Sequence, residues 1–381
     1  MTSPGEWRAA AAAAPQVVDF QRDVVCLLGL PLDTVDLAGA VHAVRSAAFT
    51  NKTCMIATPN LNFLVGALDD PAFRDSVTHA DMSLADGMPL VWLARLLGLP
   101  LRERVAGADL FEALDRHLGP PLSVFFFGGP DGAAQAACER VNASSRGLRC
   151  AGFDSPGFGS IAEMSGAERI ARINASGAQF LVAALGAKKG QAWLEHNRAK
   201  LAVPVRCHLG AVVNFAAGTV RRAPRLLQRF GLEWLWRVVE EPSLWRRYAG
   251  DGAVLLRLLV TRVLPLALVR RPSHSALAAA TVAVQLAGDT CTLTLTGAWA
   301  RSNLQPLRQA LAQAVDAGAP RLCCVLREVT HIDSAFVGLL TIAPRAFPLG
   351  MTLVDAPARV ARHLRWHGAG YLMRPARGAH A

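Results

Sequence analysis

The stretch SVFFFGGPDGAAQAACERV, residues 123–141, decides the fold. Four continuous apolar residues, Val124 to Phe127, end in two glycines, and an alanine-rich stretch of helical composition follows. A short, wholly apolar run bounded by turn residues reads as a strand buried on both faces. The alanine-rich segment after it reads as the helix that crosses back over the sheet. Working outward, the same rhythm recurs through residues 24–215. The expected strands are VVCLLGLPL (24–32), TCMIATPN (53–60), MSLAD (82–86), SVFFFGG (123–129), QFLVAALGA (179–187) and VPVRCHLGA (203–211). Most are separated by helical stretches such as PLVWLARLLG and DGAAQAACERV. Strands alternating with helices imply an α/β, Rossmann-like fold: a mostly parallel sheet with helices on both faces. No GxGxxG follows the first strand, so a dinucleotide cofactor is not indicated.

The chain has 381 residues, 52% hydrophobic and 18% charged, which is a globular composition with room for two or three domains. Its formal charge of +11 points to an anionic partner. Much of the excess lies between Arg221 and Arg271, where eleven arginines face only Glu233, Glu240, Glu241 and Asp251. Trp234, Trp236 and Trp245 alternate with arginines there, and a long Leu/Val run follows. That combination suits helices resting on an anionic lipid surface, with arginines reaching the headgroups. No nucleic-acid motif accompanies the charge, so a nucleic-acid partner is not expected. The eight cysteines form no CxxC pair and most lie in apolar runs, so they read as reduced core residues rather than a disulfide framework or a zinc site. No stretch of 18 residues is free of charge, which argues against an ordinary transmembrane helix.

The expected organisation is a disordered leader (1–21), an α/β domain (22–220), a basic membrane-proximal helical appendage (221–271) and a breaker-rich linker (272–280). A second, small α/β domain (281–372) and a tail (373–381) complete it. In the second domain TCTLTLTGAW alternates with period two, as a half-buried strand should.

Polar residues gather at the strand ends: Thr58, Asn60 and Asn62; Asp86; Arg104, Gly107 and Asp109; Gly128 and Gly129. Turns select such residues for backbone reasons, but carboxyl ends of strands in one open sheet converge on one crevice. Asp86 admits two readings, a helix N-cap or a general base at the sheet rim. Gly128-Gly129 before a helix would let a nucleotide or sugar approach the backbone. The chain has no Asp-x-Asp pair, which argues mildly against a metal-chelating transferase and favours arginine as the diphosphate partner.

TPNLNF, ADGMPLVWLARLLGLPLRERVAGADL, FFFGGPDG, GAVVNFAAGTVRRAP and GLEWLWRVVEEPSLWRRY together resemble the WecG/TagA/CpsF glycosyltransferases, family twenty-six. The resemblance runs from about residue 22 to 250. It implies an inverting transfer of an N-acetylmannosamine-type sugar from a UDP-sugar to a polyprenyl-diphosphate-linked saccharide. The reaction would serve surface polysaccharide or wall polymer assembly, in the cytoplasm at the inner face of the cell membrane. It implies Asp86 as the base that takes the acceptor's hydroxyl proton, with Thr58, Asn60, Arg104, Gly107 and Asp109 around it. Arg222 and the appendage residues Arg237, Arg246 and Arg247 would complete the site, with no metal or other cofactor. Two departures stand out: Gly190 and Gln191 replace the Gln-Glu pair of the family's GxPKQE, and Asn214 stands where the family often has Asp. They motivate an alternative, a non-catalytic nucleotide-sugar-binding adaptor of a polysaccharide-assembly complex. VTHIDSAFVGLL in the last domain resembles the loop entering a helix of STAS domains, with Ser334 on the position phosphorylated in some members. That likeness implies a possible regulatory Ser334 and a module that binds a protein partner; a plain cap role for Asp333 or Ser334 is the other reading.

Overall fold

The structure, a computed structural model, describes residues 17–220, 222–224, 226–227, 231–270 and 272–373. Most of the expected leader (1–16) and the tail from residue 374 lie outside the described residues. The end of that leader is not disordered: Phe20 is buried and its carbonyl accepts from Arg308 of the C-terminal domain.

The strands among the described residues are β1 (Val24–Leu27), β2 (Leu30–Asp33), β3 (Cys54–Ala57), β4 (Met82–Ser83), β5 (Leu122–Gly128), β6 (Leu148–Asp154), β7 (Phe180–Ala184), β8 (Val205–His208), β9 (Thr281–Ala287), β10 (Thr290–Trp299), β11 (Arg321–Ile332) and β12 (Met351–Val354). Six of them form an all-parallel sheet in the order β4-β3-β8-β7-β5-β6. The β5 phenylalanines show why the strand must be covered twice. Phe126 joins one core with Val182 and Ala137, while Phe125 and Phe127 join another with Leu181 and Trp193. Trp193 stacks on Phe127 at 4.2 Å between ring centroids. Each such side chain is worth roughly 1.5–3 kcal/mol of burial, so neither face can be left to water.

Three expectations are corrected here. The run 24–32 is not a strand of the parallel sheet but an antiparallel hairpin, β1 with β2, forming a sheet of its own. Leu28 and Gly29 both take positive φ, the geometry of a two-residue hairpin turn, so Gly29 splits what reads as one apolar run. Residues 148–154, not anticipated as a strand, pair with β5 as the edge strand β6. Lastly, Cys138 and Cys150 form a disulfide, Cα atoms 5.2 Å apart, so not all eight cysteines are free. The helix Ala133–Ser144 folds back along β6, where Asn142 also accepts from the Cys150 amide at 2.9 Å. Sequence separation hid that contact.

The C-terminal domain is a mixed sheet, β12-β11-β10-β9, in which only the β9–β10 pair is antiparallel. It docks on the hairpin. Ser334 opens the helix Ser334–Ile342 and its hydroxyl donates to the Cys26 carbonyl at 2.7 Å. A Cβ on Gly338 would come within 2.9 Å of the Val24 carbonyl, so this helix lies against the hairpin backbone. Arg345 reaches further, donating to the carbonyls of His79 (2.7 Å) and Ala80 (2.8 Å) and pairing with Asp81. One hydrophobic core therefore runs from Trp299 and Phe336 through Leu27 and Leu30 to Phe63 and Leu90. Ser334 is 5% exposed and covered by the chain itself, so the expectation of a phosphoregulated Ser334 is set aside. Asp333 takes the cap role, accepting from the Phe336 amide at 2.9 Å.

Candidate active site

The order β4-β3-β8-β7 places β3 and β8 side by side, with the chain leaving β3 toward β4 on one side and toward β5 to β7 on the other. Such a reversal opens a crevice at the carboxyl ends of the strands. A cavity of about 930 Å³ lies there, walled by Thr58 and Asn60 after β3, Asp86 after β4, Gly186 after β7 and His208 ending β8. The appendage forms the opposite wall.

Backbone bonds fix where Asp86 stands. Leu84 donates to the Ala57 carbonyl (2.9 Å), Asp86 to that of Pro59 (2.8 Å), and Val105 to that of Ala85 (3.0 Å). The extended segment 84–86 is thus gripped from both sides. The N-cap of the helix Met88–Leu96 is Gly87, with no side-chain cap bond, so the capping alternative for Asp86 falls away. Gly87 has φ +145°, which residues with a Cβ rarely adopt. What the Asp86 carboxylate meets is the Gly107 amide at 3.4 Å. Burial pushes its carboxyl up to about 7; the Arg104 charge and the Gly107 amide work against that shift, while Glu233 and Asp109 add to it. A carboxyl tuned to neutrality is a good proton acceptor at neutral pH.

Arg104 sits beside it, donating through Nη2 to Asp109 (2.8 Å) and through Nη1 to Glu233 (2.8 Å). Asp109 also accepts from Arg222 (2.7 Å), whose other nitrogen reaches Glu112 (3.0 Å). The chain Glu233–Arg104–Asp109–Arg222–Glu112 sets two guanidinium groups at the cavity wall, to which Arg237 and Arg247 add from the appendage. Asp109 itself does not line the cavity; it holds the arginines that do.

Other expected residues fall elsewhere. Asn60 lines the cavity and also caps the helix Leu61–Asp69 through the Phe63 amide. Gly107 lines it too, and a Cβ there would meet Leu209 at 2.3 Å, so glycine at this position serves packing against Leu209. Gly128 and Gly129 do not line it. A Cβ on Gly128 would meet the Ala184 carbonyl at 2.7 Å, so its glycine serves packing at the end of β5 rather than ligand approach. Arg246 is also outside, exposed and lying over the Trp245 ring. At the altered motif, a Cβ on Gly190 would fall 2.0 Å from the His208 ring, which fills the space a side chain at 190 would need. Gln191 is fully buried beside it in sequence, while Asn214 lines the cavity.

Sequence reasoning missed Glu233 and Asp251, the appendage carboxylates that line the cavity among the described residues. Asp251 accepts from Asn62 at 3.4 Å. Both looked like solvated charges in a basic helical stretch, and only the fold of the appendage over the sheet rim turns them inward. Outside, the appendage leaves Leu256, Val260, Leu264 and Leu268 exposed at four-residue spacing, and Trp245, which also lines the cavity, is exposed as well. No helix among the described residues is long and apolar enough to cross a membrane.

A parallel α/β sheet thus carries one raised carboxyl at its rim, in a cavity that four arginines also line. The chain belongs to the Glycosyl transferase WecG/TagA/CpsF family, whose match covers residues 25–267; a match to the Mlab, STAS domain follows at 282–373. It is an enzyme, a glycosyltransferase. Its curated relatives include a Bacillus spizizenii N-acetylglucosaminyldiphosphoundecaprenol N-acetyl-beta-D-mannosaminyltransferase, 32% identical over 198 residues, 52% of this chain and 75% of the relative. A Bacillus subtilis (strain 168) protein of the same name is 26% identical over 209 residues, 54% of this chain and 78% of the relative.

Proposed function

We propose that this protein moves an N-acetylmannosamine-type sugar from a UDP-sugar to a polyprenyl-diphosphate-linked saccharide, with inversion, for surface polysaccharide or wall polymer assembly. The observation that carries this reading is Asp86 at the rim of a cavity of about 930 Å³ that Arg104, Arg222, Arg237 and Arg247 also line. Asp86 takes the proton of the acceptor hydroxyl as that oxygen attacks the sugar's anomeric carbon. The bond to the UDP oxygen breaks with its electron pair, and the charge grows on the diphosphate. Arg222, Arg237 and Arg247 supply donors for that charge, because a guanidinium matches phosphate oxygens two at a time.

The lipid acceptor brings the reaction to the inner face of the cell membrane. The exposed stripe Leu256, Val260, Leu264 and Leu268, with Trp245 and the neighbouring arginines, is the surface that rests there. The STAS-like domain braces the hairpin through Ser334 and the loop before β4 through Arg345, and recruitment of a protein partner falls to its other faces.

Purified protein given UDP-N-acetylmannosamine and a short-chain lipid-diphosphate acceptor should transfer sugar in the presence of EDTA. Binding without transfer across several UDP-sugars would favour the adaptor reading, and a strict magnesium requirement would contradict charge stabilisation by arginine alone. In flotation, the protein should rise with anionic liposomes. Replacing Leu256, Val260 and Leu268 together with Ser should reduce that binding at least tenfold, each buried side chain being worth roughly 1.5–3 kcal/mol. Unchanged flotation would move the membrane surface elsewhere.

A further inference from the structure

Glu233 opens the helix Glu233–Glu240 of the appendage, yet its carboxylate leaves that helix and enters the wall of the cavity. There it takes Nη1 of Arg104 at 2.8 Å, while Asp109 of the sheet domain takes Nη2 at the same distance. One guanidinium is thereby held between a carboxylate from each part of the molecule. The backbone leading to Glu233 is fixed as well. Gly231 has φ +72°, and a Cβ there would lie 2.7 Å from Met88 Cβ and 2.9 Å from Trp92, on the helix that follows Asp86. Only a glycine lets the chain press so close, two residues before the carboxylate. A surface ion pair would be worth little, but this one is enclosed: the Arg104 side chain is 13% exposed and that of Glu233 26%.

We infer that Glu233 is a positioning residue: by clamping Arg104 it ties docking of the appendage to the charge that surrounds Asp86. The inference rests on the reading of Asp86 as the base. Around that carboxylate stand Arg104, the Gly107 amide and Asp109 on one segment, Glu233 on the appendage, and the Cys207 thiol on β8, whose burial keeps it neutral. His208, Asp251, Arg222, Arg237 and Arg247 line the same cavity. His208 adds no charge at neutral pH, since burial lowers its imidazole to about 4. Of the charged neighbours that act on Asp86, Glu233 alone comes from the appendage. With the appendage docked, the negative charge of Glu233 raises the Asp86 carboxyl; without that charge, the positive charge of Arg104 acts less opposed and the carboxyl falls.

The test is the pH dependence of kcat/KM for sugar transfer by the full chain. Glu233→Gln keeps the length of the side chain and a hydrogen bond to Arg104 while removing the charge. Its acidic limb should move to lower pH by roughly half a unit to one unit. Glu233→Asp, which keeps the charge, should hold the limb near that of the parent and serves as the control should the Gln variant fold poorly. A Gln profile that superimposes on the parent, or an Asp profile displaced as far as the Gln one, would reduce Glu233 to a structural tie and overturn the inference. Failure of the Asp86 reading shows itself differently, as transfer by Asp86→Asn at the parental rate.

Discussion

Asp86→Asn should lower kcat by about 10²–10⁴-fold, the range that general-base catalysis supplies, while UDP affinity stays within a few-fold of the parent. Asn has nearly the shape of Asp, and its carbonyl can still accept from the Gly107 amide. What it cannot do is take a proton from the acceptor hydroxyl. The variant should also melt no lower than the parent. Burial disfavours the Asp86 carboxylate enough to hold its carboxyl near 7, and Arg104 is already matched by Asp109 and Glu233. An uncharged amide at 86 therefore leaves no guanidinium stranded. Loss of turnover with intact folding and UDP binding separates lost chemistry from lost structure. Parental turnover in this variant would remove Asp86 from the mechanism.

Arg345→Met should lower stability by about 3–5 kcal/mol, the cost of breaking a buried ion pair from one side. The Arg345 side chain is 2% exposed and belongs to the C-terminal domain, but its partners His79, Ala80 and Asp81 belong to the loop that leads into β4. Removing the guanidinium leaves the His79 and Ala80 carbonyls without their donor and takes from Asp81 its nearer cation, leaving Arg198 at 3.7 Å and the Met55 amide on its other oxygen. Thermal unfolding followed by circular dichroism should show a drop of several degrees or an early separate transition. Ser334→Ala, which removes one neutral hydrogen bond to Cys26, should cost only about 1 kcal/mol. If Arg345→Met melts within a degree of the parent, the two domains do not depend on each other as the shared core requires. By the same logic a chain ending before residue 272 should aggregate, because hairpin residues such as Leu27 and Leu30 lose their cover.

The parallel sheet was legible where its strands are short apolar runs, as in SVFFFGG, which reads as a strand covered on both faces. The position of Asp86 was legible for a related reason, since Asp-Gly at the end of such a run marks the rim where an open sheet keeps its ligands. Other features depended on contacts between distant residues. The hairpin looked like a strand of the main sheet because β1 and β2 are both wholly buried; what buries them is the C-terminal domain some three hundred residues later. The Cys138–Cys150 bond needs the return of a helix along an edge strand whose alternating burial gave only a weak signal. Gly128 and Gly129 read as room for a ligand, but the space they keep free belongs to neighbours such as Ala184 and Val213. Glu233 sat in plain view within GLEWLWR, yet nothing in a charge count shows which carboxylate turns inward.

The most direct test is the pH–rate profile of the parent enzyme between pH 5 and 9, with kcat/KM measured for the acceptor. A base whose carboxyl is raised to about 7 is protonated and idle below that value and active above it. The account predicts an acidic limb with its midpoint near 7 that is absent from the residual activity of Asp86→Asn. A rate that stays flat down to pH 5, or a limb that survives in Asp86→Asn, would contradict it.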